Sequence, residues 1–557
     1  MSRECTVAPG HGSIPGLISI FDEGQRVQLR NPQVVSPAEP VAAVAISREL
    51  SLRAYLSIAG ATPVVTALAV FGLFLPVVTV PYAFSDDYSI LWMAVSGEPS
   101  AQFGKNILDA QAVGGRPFAG LLSTWFFSAA GTIDHLRIVR LFAVVTIVAL
   151  ALLLHWALVR SGIGRTPAAL IAVLVCSMPA FQVYASWAVL FGAPLAALLA
   201  GGASVLAVAA IDAPRELVAD RVMGATAMLL AALLIYQPPA MFFWVFLAVA
   251  IVGARHESER AFRITRMHFG VGAVALALAF LVTKLAVHYF GKTATAGPRA
   301  TLAHDVAGKA RWFFEQPLYR SLNLFDLTPS RWLAALVASI AAGGILLWLL
   351  RRSSQPLLYI TVGMILIPLS YLPNLVVQDM WPPFRTQVSI SSLIALYTCL
   401  GALGMWLTLR DWLLPRVSGN ALKAAERAAL AISVAFVSAS AFLAAKNVTT
   451  LIVEPQMTEL RMLRSQVAAL PAGVPRVAFV ETDWHGGMTN LVVYDEFGLA
   501  SSVRPWALEP AVDLVLREEG RLAPNAPQPI VDVYGSDTTT FPKGEPVVDL
   551  RGLQRLR

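Results

Sequence analysis

The stretch Pro81-Tyr82-Ala83-Phe84-Ser85-Asp86-Asp87-Tyr88 puts two adjacent carboxylates a few residues beyond a long apolar run. Charged groups that close to a bilayer cost on the order of a few kcal/mol unless hydrated or paired, so they carry a functional presumption. An aspartate can take the proton of an attacking hydroxyl, and two can share a divalent cation such as Mg or Mn that neutralises a phosphate leaving group. The same pair can instead cap an interfacial helix starting at Tyr88, where carboxylates satisfy free amides. Other groups capable of chemistry are scattered. Lys284 and His288 share one helical face. Arg385 ends the loop Gln378-Asp379-Met380-Trp381-Pro382-Pro383-Phe384-Arg385. The 291 to 331 stretch mixes Lys292, Arg299, His304, Lys309, Arg311 and Arg320 with Trp312, Phe313 and Phe314. Walker loops, dinucleotide fingerprints and nucleophile elbows are missing from the sequence, which argues against nucleotide-driven transport.

What must position these residues is a set of membrane spans. Of 557 residues, 56% are hydrophobic and 14% charged, against roughly a quarter charged in a soluble domain. Apolar runs recur from Ala61 to Leu443, each approaching the ~20 residues a helix needs to cross a hydrocarbon core. The pattern predicts an all-α polytopic protein with eleven spans, near 58 to 80, 138 to 159, 167 to 182, 189 to 211, 222 to 236, 238 to 254, 268 to 290, 332 to 350, 356 to 373, 387 to 409 and 428 to 445. The formal charge of +7 reads as topology rather than as a nucleic-acid site, because the basic residues are spread over short loops. Arg160, Arg165, Arg215, Arg221, Arg255, Arg260, Arg263, Arg266, Arg351, Arg352, Arg410, Arg416, Lys423 and Arg427 all fall between spans on one side. That side is expected to be cytoplasmic, with residues 1 to 57 forming a loosely ordered cytoplasmic arm. The run Arg116 to Ala130 is short for a crossing, and counting it would turn every later basic loop outward. It is therefore expected to lie at the outer interface, Trp125 and Phe126 at headgroup level. The transmembrane domain then covers 58 to 445, with outer loops 81 to 137, 291 to 331 and 374 to 386.

After Ala445 the composition becomes mixed and polar, which predicts a small α/β outer domain over 446 to 557. Within it, Arg476 to Glu481 and Asn490 to Tyr494 read as strands, and Pro455 to Leu470 and Pro510 to Glu519 as helices. The three cysteines Cys5, Cys176 and Cys399 lie too far apart for a disulfide framework or a metal-ligand spacing.

An acidic pair just after the first span, an interfacial helix later in that loop, Arg137 or Arg140 at the outer start of span two, and Pro179 late in span three together resemble the GT-C superfamily of membrane glycosyltransferases. The Gly115-Arg116-Pro117 turn and the Tyr236-Gln237 pair look specifically like its serotype-converting glucosyltransferase branch. The resemblance covers spans one to seven most strongly and hardly touches the C-terminal domain. It implies a sugar donor linked to a polyprenyl phosphate, a glycan acceptor, and a catalytic acid in the first outer loop. Asp86 or Asp87 would then be the general base and the other a metal ligand or orienting group. Many relatives show Asp-Glu here, so Asp-Asp leaves that division open.

On the same resemblance, Arg385, Lys284, His288 and Arg140 would meet the donor phosphate, with Arg140 also holding the acidic pair ionised. Arg385 could equally close its loop on Asp379. Tyr88, Arg116, Tyr236, Gln237, Trp312, Asp379 and Trp381 would contact the substrates. Glu481-Thr482-Asp483-Trp484-His485, following a strand, could hold an acceptor sugar. The expected location is the bacterial inner membrane, with the N-terminus cytoplasmic and the C-terminus periplasmic, among membrane lipids and without nucleic acid. Two rival readings keep the lipid-linked saccharide but change the chemistry. A transporter or flippase would place ionisable groups deep in several spans. A polymerase or ligase would use a large arginine-rich outer loop.

Overall fold

A computed structural model describes residues 60–96, 100–290, 301–353, 355–481, 496–523, 526–542 and 544–555. The expected N-terminal arm, the Asn490 to Tyr494 strand, and Thr482 to His485 lie outside the described residues.

The chain is mostly helical. Short apolar α1 (Thr62–Leu73) leads to the acidic loop, from which α2 (Asp86–Val95), α3 (Ser100–Val113) and α4 (Pro117–Ala130) arise. Then come α5 (Leu136–Arg160), α6 (Arg165–Cys176), α7 (Pro179–Ser186), α8 (Gly192–Ile211), α9 (Arg215–Ile235), α10 (Phe242–Gly253) and α11 (Ser258–Phe290). Beyond α12 (Val306–Phe313) follow α13 (Arg331–Arg352), α14 (Pro356–Leu369), α15 (Val388–Leu413) and α16 (Gly419–Val448).

Among the described residues, six helices are long and apolar enough to cross a membrane, seven if the bent pair α6–α7 is one span. Four shorter apolar helices, Thr62–Leu73, Gln237–Gly253, Arg331–Leu347 and Pro356–Leu369, coincide with the remaining expected spans. The long and short apolar helices together carry exposed Leu68, Phe280, Leu336, Leu357, Ile432 and Phe442, a spread of apolar surface that water would not tolerate and lipid does. The protein is membrane-embedded.

Local chemistry explains the breaks. Pro179 opens α7 and cannot continue α6, so the pair bends by 62°. Pro238 and Pro239 end α9, with Tyr236 extended between it and the turn Gln237–Ala240. Where α13 crosses α15, a Cβ on Gly344 would stand 2.1 Å from the Gly401 carbonyl oxygen, so only glycine permits that approach.

The helix ends sort into two sets. At one end Arg260 pairs with Asp212 at 2.7 Å, Tyr359 donates to the Ala254 carbonyl and Arg410 pairs with Glu426. At the other, Tyr82 donates to the Ser186 carbonyl, Gln237 to that of Gly115 and Ser389 to that of Pro238.

α16 passes through a π-type turn at Thr449–Val453 straight into α17 (Glu454–Ala468). The expected boundary at 446 therefore falls inside one continuous helix. Pro455 has no N–H to give the Leu451 carbonyl, and the Gly498 N–H takes that acceptor at 2.7 Å. Beyond α17, β1 (Arg476–Val480), α18 (Pro505–Glu518), β2 (Ile530–Tyr534) and β3 (Val547–Asp549) complete an α/β module. Its three-stranded sheet is parallel, in the order β2-β1-β3, with Arg476 opposite Ile530 and Ala478 opposite Val547. α18 starts five residues before its expected position because Pro505 suits a first helical turn. The module shares one core with the segment between α1 and α5 and with the start of α5: Val477, Phe479 and Val512 cluster with Tyr88, Leu91, Phe127 and Val139.

Candidate functional site

The acidic pair opens α2 after a strained residue. Ser85 has φ +50°, a conformation that costs a non-glycine residue about 1–3 kcal/mol and marks sites the surrounding structure over-determines. Its N–H donates to Ser501 Oγ at 2.7 Å, so the module holds the turn.

From there the two aspartates diverge. Asp87 is 0% exposed. Its Oδ1 accepts the Val189 N–H at 2.8 Å, and its Oδ2 accepts those of Phe84 and Ala188. Burial raises its carboxyl to about 7; the Arg140 charge and the three amides oppose the shift without cancelling it. Asp86 is partly exposed, and its Oδ1 accepts the Trp506 indole N–H at 2.7 Å. Among the described residues no donor reaches its Oδ2. With both Asp87 oxygens turned onto backbone amides, the pair does not fit a cation shared between them, and among the described residues no group of three His, Cys, Asp or Glu side chains is gathered for a metal.

Arg140 does not stand free to receive a phosphate. Fully buried, it donates through Nε to the Val77 carbonyl, through Nη1 to that of Tyr82 and through Nη2 to that of Val80, and stacks 3.8 Å from the Tyr82 ring. It ties the end of the first span to α5, a role its position alone did not distinguish.

Of the amides clasped by Asp87, that of Val189 belongs to the wall of a small recess open to solvent, with a cavity volume of about 40 Å³, lined by Arg116, Ser123, Val189, Phe191, Gly192 and Tyr236 among others. The Gly115-Arg116-Pro117 turn and the Tyr236-Gln237 pair meet there. The Arg116 guanidinium lies 4.5 Å over the Tyr236 ring, and Gln237 Nε2 donates to the Gly115 carbonyl at 2.7 Å. Gly115 has φ +73°, and a Cβ on it would approach Gln237 Nε2 to 2.9 Å, so glycine alone serves. From the recess an aromatic path runs through Tyr184, 6.3 Å from Tyr236, whose hydroxyl donates to the Arg385 carbonyl.

Arg385 sits among aromatic rings with a carboxylate beside it. Its guanidinium lies between the Trp187 and Trp381 rings, 5.1 and 4.8 Å away, and donates to Glu496 Oε1 at 3.0 Å. Glu496 also accepts the Phe384 and Arg385 amides. Asp379 accepts the Trp381 amide, and its carbonyl accepts Lys309 Nζ at 2.5 Å. Lys309 stacks 4.1 Å over buried Trp312. Lys284 and His288 are exposed on α11, against Phe280 and Tyr289, and neither lines the recess. Tyr88 is buried at the module interface, its hydroxyl without a partner among the described residues.

Sequence reasoning missed Glu496, Trp506, and Trp187 with the Ala188 and Val189 amides. Each acts across more than a hundred residues of chain, so no local pattern announced it. No protein-family model matches the chain, and no curated protein matches it.

Proposed function

We propose that the chain is a GT-C-like glycosyltransferase of the bacterial inner membrane, moving a sugar from a polyprenyl-phosphate donor to a glycan acceptor on the outer face. One observation carries the reading: the Gly115-Arg116-Pro117 turn and the Tyr236-Gln237 pair, far apart in sequence, meet at one recess, and the acidic loop reaches its wall through the Asp87 bond to the Val189 amide. The reading includes the eleven expected spans, with a cytoplasmic N-terminus and the module in the periplasm, an arrangement that would set the recess at the outer surface.

In this reading Asp86 Oδ2 takes the proton of the acceptor hydroxyl as that oxygen bonds to the sugar's anomeric carbon. The bond from that carbon to the phosphate breaks, and polyprenyl phosphate leaves with the bonding electrons. Arg116, on the recess wall, meets the charge building on the phosphate. Asp87 positions the wall and touches neither substrate. Tyr236, which Arg116 stacks on, and Gln237, which fixes the Gly115 turn, shape the donor side. Lys284 and His288 stand at the approach along α11.

The test is transfer of radiolabelled sugar in membranes. Asp86→Asn should lose about 10²–10⁴-fold in transfer at normal abundance, the usual worth of a general base. Full activity in that variant would refute the assignment.

A further inference from the structure

Trp506 is a large ring left open in a place where the surrounding chemistry is polar. It stands at the start of α18, 53% exposed, yet held from both ends. Its indole N–H donates to Asp86 Oδ1 at 2.7 Å, and its carbonyl accepts Ser89 Oγ at 2.8 Å. The Arg504 guanidinium lies 5.4 Å from its ring. An indole that anchors a protein in a bilayer presents its N–H to the wet headgroup layer. Here the N–H is engaged by a carboxylate, and the ring face remains. A fixed aromatic face flanked by a carboxylate and a guanidinium is the chemistry that recognises a sugar ring: its C–H face stacks on the indole while its hydroxyls meet the charged groups.

We propose that Trp506 and Arg504 of the α/β module form the glycan-acceptor subsite, opposite the donor recess, with Trp506 also positioning Asp86. This rests on the glycosyltransferase reading and gives the module its part in it. The indole fixes Asp86 Oδ1 and leaves Oδ2 toward a sugar hydroxyl brought in on the ring.

The experiment uses the full chain, purified in detergent, on an array of bacterial surface oligosaccharides, beside transfer assays in membranes. Wild type should bind at least one oligosaccharide. Trp506→Ala should bind it roughly tenfold or more weakly, as truncation of a buried-face aromatic anchor does. Trp506→Phe, which keeps a ring but no N–H, should retain most binding while shifting the pH profile of transfer. Thermal unfolding of all three should coincide. Equal binding by Trp506→Ala, no oligosaccharide bound by wild type, or wild type bound instead to protein-free phosphatidylglycerol vesicles through Trp506 would each overturn the subsite. Failures remain separable: glycan binding through Trp506 without any transfer would keep the subsite and refute the transferase, whereas transfer indifferent to Trp506→Ala would do the reverse.

Discussion

Asp87 carries the clearest consequence at the scale of one residue. Its carboxyl is raised to about 7 by burial, above the ~3.9 of an unfolded chain. The folded state thus holds this proton more tightly than the unfolded one. The stability it contributes is fully present below about pH 4 and is lost as pH rises to about 7. Relative to Asp87→Asn, the wild-type melting temperature in detergent should fall through that window and level off above it, a change on the order of a few kcal/mol at most. A difference that is flat from pH 4 to 8 would rule this out. The sequence placed both carboxylates just beyond the first apolar helix, where the structure has them, but could not assign their work. That division depends on Val189 and Trp506, one beside Asp87 and the other on a distant helix.

Among elements, the loop between α14 and α15 is fixed by a partner from outside it. Arg385 and Glu496 are almost wholly enclosed, with side chains 11% and 0% exposed. Removing one member of a buried ion pair leaves the other charge uncompensated, at a cost of about 3–5 kcal/mol. Glu496→Gln should therefore destabilise the protein by about 3 kcal/mol, and adding Arg385→Met should recover much of it; the check is a double-mutant cycle of thermal unfolding. A stable Glu496→Gln protein would show the pair to be incidental. Arg385→Ala should accordingly harm folding before it harms donor use. The long apolar helices were legible because hydrophobic length and basic loops each constrain them. β2 and β3 were not, being short, carrying Asp532 and Asp549 inside them and following proline-rich runs, so neither alternation nor length marked them. The strand at Arg476 and the helix from Glu454, with clear periodicity, were.

For the molecule as a whole, the C-terminal module packs as a wall against the segment between α1 and α5 rather than hanging as an appendage. Arg464 pairs with Asp134 and Glu518, the Ile133 N–H donates to Glu518, and the Trp92 indole donates to buried Asp513. A chain truncated after Val448 would expose Leu91, Phe127 and Val139 to water. It should be degraded or aggregate in membranes, as followed by abundance and size-exclusion profile; a monodisperse truncated protein would disprove the interdependence. The bond between Asp86 and Trp506 also has a meaning in time. These residues are 420 apart in the chain, so at about 5–20 residues per second the ribosome makes the aspartate roughly 20–80 s before its partner. Until then Ser85 has no hydroxyl from Ser501 to hold its turn. A chain whose synthesis stops early is thus born without a finished acidic loop, and only full-length translation completes it.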